Sequence, residues 1–178
     1  YFAYPYPRER ILEMLRREAA PAGSSPARVR LLLSREGTVR CERSPLGAKE
    51  PKRPFNVTLA REPVNSRDIF LFHKTTHRAV YESRLRAHPD VEDVILHNER
   101  GELTESTIGN LALVLDGIWW TPPMACGLLP GVYRAELLER RQLRERILYP
   151  EDLARAERVY LLNSVRRAWP AQLGGTKD

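Results

Sequence analysis

Cysteine is scarce in this sequence, and the spacing of the two thiols gives them no shared use. Cys41 and Cys126 stand far apart, with no CxxC pair. That excludes a zinc knuckle and a disulfide framework, and it fits a reducing, cytosolic compartment. No apolar run approaches the roughly 20 residues that span a bilayer. No basic-then-apolar secretory leader is visible, so "NVT" at Asn56 reads as part of a strand rather than as a glycosylation site. Internal repeats are absent. So is an opening methionine: the chain begins "YFAYPYPRERILEML", as though inside a longer sequence.

Positive charge is what the chain has in plenty. Lys and Arg number 29 against 23 Asp and Glu, a net charge of +6. The arginines are spread along the chain. No basic stripe alternates with aromatics, which argues against a nucleic-acid surface. Two readings of the charge stay open: a solvated, Arg-rich surface, or attraction of an anionic small molecule. With 42% hydrophobic residues, a packed core is expected.

Periodicity predicts an α+β chain. "PRERILEMLRREAA" places Ile11, Leu12, Leu15 and Ala19 at helical spacing behind Pro7. "PAGSSPA" breaks that helix. "ARVRLLLSREGTVRCERSPL" reads as two strands joined by "REG". "GAKEPKRP", residues 47–54, reads as a linker, and "FNVTLA" as a short strand. Further on, "DVILHNERGELTEST" is strand, turn, strand. "NLALVLDGIWWTPP" folds back at Asp116-Gly117, a strong hairpin signal. "LLPGVYRAELLERRQ" is a glycine followed by a helix. "LRERILYPEDLARAERVYLLNSV" is strand, Pro-started helix, strand. Two domains follow: a small first one, residues 1–60, and a larger second one, residues 61–178.

Four short stretches carry chemistry. In "DIFLFHKTTHRAVYE" the apolar run Ile69–Phe72 reads as a buried strand ending at Lys74. Burial of an ammonium is costly, and the same desolvation would yield a neutral, nucleophilic amine. The hydroxyls and imidazoles around Lys74 would form the polar edge of its pocket. In "GELTESTIGN", Glu105 is an acid that could face a basic ring nitrogen. In "PGVYR" a Pro-Gly precedes a helix, whose first free amides suit an anion. In "LLNSVRR", Asn163 and Ser164 offer polar groups at a turn. Taken singly, each has an ordinary reading: a surface lysine, a solvated acid, two turns.

In this order, the stretches resemble the fold-type IV pyridoxal phosphate enzymes, the D-amino acid aminotransferase-like group. Within it the chain is most similar to aminodeoxychorismate lyase, in particular the lyase-like domain found fused to aminodeoxychorismate synthase component I. "AREPVNSRDIFLFHKTTHRAVYE", "GELTESTIGNLALVLDGIWWTPP", "GLLPGVYRAELL", "YPEDLARAERVYLLNSVR" and "YFAYPYPRERI" carry the resemblance over most of the chain. It implies two small α/β domains, the first N-terminally incomplete, because family members have further residues before "YFAYPY" that include a phosphate-binding arginine. It implies pyridoxal 5′-phosphate as cofactor and no metal. Lys74 would hold the cofactor, and Glu105 would face the pyridine nitrogen. The amides of Val132 and Tyr133 would cradle the phosphate with Ser164 and Asn163. Tyr133 replaces a threonine common in aminotransferase relatives, so only its backbone is expected to serve. Arg78 or Tyr81 would approach the ring oxygen or the substrate, and Arg30 a substrate carboxylate.

The implied reaction converts 4-amino-4-deoxychorismate to 4-aminobenzoate and pyruvate, a step of folate biosynthesis. Lys74 would remove the proton from the amine-bearing carbon while Glu105 keeps the ring nitrogen protonated. The alternatives are a class IV aminotransferase acting on branched-chain or D-amino acids, and a catalytically silent fragment. A homodimer and a fused or separate synthase partner are also implied. "HKTTHR" leans to the lyase, since the aminotransferases carry Gly- or Asn-rich sequence after the lysine.

Overall fold

The computed structural model describes residues 1–19, 27–46 and 53–174. The expected break at "PAGSSPA" and linker at "GAKEPKRP" fall almost wholly outside the described residues. The chain divides into two units, Tyr1–Lys49 and Glu50–Asp178.

The first unit is a helix and a hairpin. Helix α1 spans Arg8–Ala19 and buries Ile11. Strands β1 (Ala27–Leu33) and β2 (Val39–Pro45) pair antiparallel, with Leu33 opposite Val39. Ser34 shapes the turn between them, its Oγ accepting from the amides of Glu36 and Thr38.

The second unit is built on one large sheet. Its strands are β3 (Phe55–Leu59), β4 (Asp93–His97), β5 (Leu103–Ser106), β6 (Asn110–Leu115), β7 (Ile118–Thr121), β8 (Arg144–Glu145), β9 (Arg158–Asn163) and β10 (Arg167–Leu173). The order is β5-β4-β3-β10-β9-β6-β7-β8, and β5 also pairs with β6. That extra pairing is Glu105 opposite Asn110, and it closes the sheet on itself. Strand β6 manages it by dividing one edge between two partners: β5 at Asn110, β7 from Leu113 onward.

Side-chain alternation sorts the core into layers. Ile95, Leu103, Leu111, Leu113, Leu161 and Trp169 meet within the closed sheet. Val94 and Leu96, the alternate residues of β4, meet Leu71 and Tyr81. These come from helices α2 (Ile69–Phe72) and α3 (Ala79–Arg86). Ala112 and Leu162 meet Leu137 of helix α4 (Val132–Glu139). Strands covered on both faces read as continuous apolar runs, as "LALVL" in β6 does. Helix α5 (Pro150–Arg155) starts at its proline, as expected.

The structure corrects three expectations. "IFLF" is not a strand but a single helical turn. Asp68 caps it, its Oδ1 accepting from the Phe70 amide at 2.9 Å. Four apolar residues carry too little periodicity to separate the two states, and the cap decides. The domain boundary falls at residues 49/50 rather than 60, because β3 lies inside the large sheet between β10 and β4. The third concerns strand β10, which the sequence reading did not include; Pro170 lies within it. Pro170 stands opposite Tyr160 of β9, and β3 joins β10 only from Ala171 onward, so the missing N–H is tolerated.

Two substitutions separate packing from turn geometry. Leu113→Ala, at a fully buried core position, should lower unfolding free energy by about 2–5 kcal/mol. Gly117→Ala, at φ +71° in an open turn, should lower it by about 1–2 kcal/mol. Urea unfolding midpoints measure both, and equal losses would contradict this core assignment.

Candidate active site

Glu105 sits where the sheet closes. It is 3% exposed, an unusual place for a carboxylate. Three donors meet it. The Tyr81 hydroxyl donates to Oε1 at 2.8 Å, the Leu129 amide to Oε1 at 3.2 Å, and Asn110 Nδ2 to Oε2 at 3.2 Å. Among the described residues, no cation stands within ion-pair distance of it. Burial therefore dominates and pushes its pKa up to about 7, against the pull of Tyr81, Leu129, Lys74 and Arg78.

Tyr81 comes from α3 on the outer face of β4. Burial first, and then the Glu105 charge, raise its phenol pKa. It stays a donor. The Arg78 guanidinium lies 4.8 Å from its ring centroid and donates through Nη2 to the Thr107 carbonyl at 2.5 Å. The structure thus places Tyr81 on the acid.

Lys74 follows the C-cap of α2, in the loop before α3, and is exposed. The buried strand end expected for it is absent, because α2 is a helical turn that releases the chain to the surface. Two of the polar neighbours, Thr75 and His77, bond to each other. Thr75 Oγ1 accepts from the His77 amide at 3.1 Å, and the His77 ring lies 4.3 Å from that of Phe70.

Helix α4 begins at Gly131 with no side-chain cap. Val132 is exposed at its first position. The Arg167 guanidinium lies 4.5 Å from the centroid of the Tyr133 ring. Asn163 is committed elsewhere. Its Oδ1 accepts from the amides of Val165 and Arg166, and its Nδ2 donates to the Ile108 carbonyl at 3.2 Å. It shapes the turn that presents the exposed Ser164. Arg30 belongs to the first unit, on β1, 3.5 Å from Glu42.

Hydrogen bonds thus join Tyr81, Glu105 and the approach to α4 into one site. Sequence reasoning missed Asn110 and Leu129 as members. The signal for Asn110 was available: in a β5–β6 hairpin the residue five after Glu105 stands opposite it. The donor set fits pyridoxal phosphate. A buried acid lacking a cation suits a protonated ring nitrogen, and an uncapped helix start suits a phosphate. Among the described residues no cluster of side chains suits a metal ion, and no helix is long and apolar enough to cross a membrane.

A model of the amino-transferase class IV family matches residues 1–173. A protein of Schizosaccharomyces pombe named "Putative aminodeoxychorismate lyase" is 34% identical over 172 residues, 92% of this chain and 74% of that one. The crystal structure of a "Putative amino-acid aminotransferase" from Mesorhizobium loti superposes with a TM-score of 0.87 at 35% identity, over 96% of this chain and 84% of that one. A hypothetical aminotransferase from Mycobacterium tuberculosis in its PLP-bound form has the same fold, with a TM-score of 0.76 at 20% identity, over 93% of this chain and 66% of that one.

The raised pKa of Glu105 has a signed consequence. The folded chain holds this proton more tightly than the unfolded chain, whose carboxyl titrates near its ordinary 4.5. Its contribution to stability is fully present below that pH and is lost as pH rises through about 7. Between pH 5 and pH 8 the chain should lose about 2–3 kcal/mol more than Glu105→Gln loses. Urea titrations at both pH values measure the difference, and parallel profiles would contradict the shift.

Proposed function

The chain belongs to the class IV aminotransferase family, and on that footing we propose that it is a pyridoxal phosphate-dependent lyase converting 4-amino-4-deoxychorismate to 4-aminobenzoate and pyruvate. The observation that carries the cofactor is Glu105, a buried acid with three neutral donors and no paired cation. The fold of a solved relative in PLP-bound form supports it.

When bound, pyridoxal phosphate supplies an electron sink for the carbon that bears the substrate amine. The chain's own groups do the rest. Lys74 would hold the cofactor and move the proton of the amine-bearing carbon; its exposure leaves its amine within reach of an entering substrate. Glu105 holds a proton at the ring nitrogen. Charging Glu105 is unfavourable in the empty chain and becomes favourable once a cationic N–H faces it. The amides of Val132 and Tyr133, at the positive end of α4, and the Ser164 hydroxyl would hold the phosphate. Arg78, against Tyr81, offers a guanidinium to a substrate carboxylate.

The likeness to the S. pombe protein over 92% of the chain and the "HKTTHR" stretch favour the lyase. A second reading, an aminotransferase acting on branched-chain or D-amino acids, has its own support in the Mesorhizobium protein at 35% identity. The two reactions differ in what they need. A lyase releases pyruvate with no oxo acid present, whereas a transaminase turns over only with an amino acceptor.

Purified chain with pyridoxal phosphate and aminodeoxychorismate should therefore yield pyruvate without an added oxo acid. Lys74→Ala should lower that rate by about 10²–10⁴-fold or more. Transfer to an oxo acid with no pyruvate release would establish the second reading instead. Undiminished turnover by Lys74→Ala would overturn both.

A further inference from the structure

Leu129, two residues ahead of the N-cap of α4, is held from both of its backbone ends. Its amide donates to Glu105 Oε1 at 3.2 Å. Its carbonyl accepts from Asn110 Nδ2 at 2.8 Å and from the Gly131 amide at 2.8 Å. Asn110 Nδ2 also donates to Glu105 Oε2 at 3.2 Å. Glu105, Asn110 and Leu129 therefore form a closed ring of hydrogen bonds. Gly131 packs against that ring so closely that a Cβ there would lie 2.1 Å from Asn110 Oδ1. The Gly131 carbonyl, in turn, accepts the α4 bond from Ala135 at 2.9 Å. Asn110 is 4% exposed, and it is also the residue through which β6 closes on β5.

We propose that Asn110 is a positioning residue that ties the carboxylate of Glu105 to the first turn of α4, so that the acid pole and the phosphate pole of the site are set by one side chain. The inference rests on the reading that pyridoxal phosphate occupies this site. A helix start binds a phosphate through amides whose aim depends on the chain entering the helix, and here that entry is docked onto the partners of Glu105. The groups facing Glu105 with charge or a titrating proton are Tyr81, Lys74 and Arg78. The side-chain hydrogen bonds of Tyr81 and Arg78 go to Glu105 and to the Thr107 carbonyl, not to the approach to α4. Asn110 alone among these side chains bonds both Glu105 and the Leu129 carbonyl.

The test uses ligands that form no covalent bond with Lys74. Dissociation constants are measured for pyridoxamine phosphate and for pyridoxamine, in the wild-type chain and in Asn110→Ala, and their ratio isolates what the phosphate contributes. Asn110→Ala should reduce that ratio by about 10- to 100-fold, the scale of one lost hydrogen bond in a charged network. An equal weakening of both ligands would overturn the proposal, since Asn110 would then serve Glu105 alone. An unchanged ratio with unchanged affinities would overturn it too. Gly131→Ala is the second variant. It keeps the amide but displaces Oδ1, and it should reduce the same ratio, so the proposal stays testable if Asn110→Ala fails to fold. Wild-type chain that binds neither ligand would discard the cofactor reading itself, a result distinct from a bound cofactor with an unaltered ratio.

Discussion

A carboxylate without a cation governs this structure. Taking Glu105 out of water costs several kcal/mol. Each neutral donor returns about 1–3 kcal/mol, and Tyr81, Asn110 and Leu129 supply three. Burial still outweighs the donors and favours the neutral acid, with the pKa pushed up to about 7. The fold tolerates the remainder because the same three donors close the sheet, seat α3 and lead the chain into α4. Removing the acid to relieve the desolvation would dismantle the junction that the acid organises.

The arginines show the opposite arrangement. Arg134 is 3% exposed, and it binds the Pro122 carbonyl and Glu145, fixing α4 to the chain around β7 and β8. Arg146 and Arg155 converge on Asp152, whose other oxygen accepts from the Tyr149 amide at the start of α5. Arg100 reaches Ser66, Glu99 and Glu102 beside the β4–β5 turn. A fork of five N–H groups suits such bracing, since one side chain can satisfy carboxylate and carbonyl together. Arg100, Arg134, Arg146 and Arg155 are thus part of the scaffold.

This division explains what could be read in advance. The Asp116-Gly117 hairpin, α1 and the helix after Gly131 were legible, because each depends on local chemistry: left-handed residues in a two-residue turn, a 3.6-residue period, a glycine before a helical run. Glu105 could be singled out by residue type and position. Its partners could not, since Tyr81 and Leu129 lie 24 residues away on either side and meet only when the sheet closes. The burial of Lys74 was misjudged for a related reason. Whether "IFLF" is strand or helix turns on Asp68, a single cap, and the exposure of Lys74 follows from that choice. Strand β10 carries Pro170, which argues against a strand except at the register where it occurs.

The outcome is a site whose two ends live in different solvents. Glu105 is in a dry, low-dielectric junction where an unpaired charge is expensive and a cationic partner is worth most. Lys74 is in water, and its attraction for Glu105 ranks below the Tyr81 and Leu129 hydrogen bonds. A ligand bridging the two would bring its own cation to the dry end and keep its reacting carbon at the wet end. The acid would be charged by the ligand that needs it charged, and the amine would meet substrate from solvent without any opening of the core. The asymmetry between buried acid and exposed lysine, first met as a failed expectation about Lys74, would then let one surface hold a cofactor firmly and exchange a substrate freely.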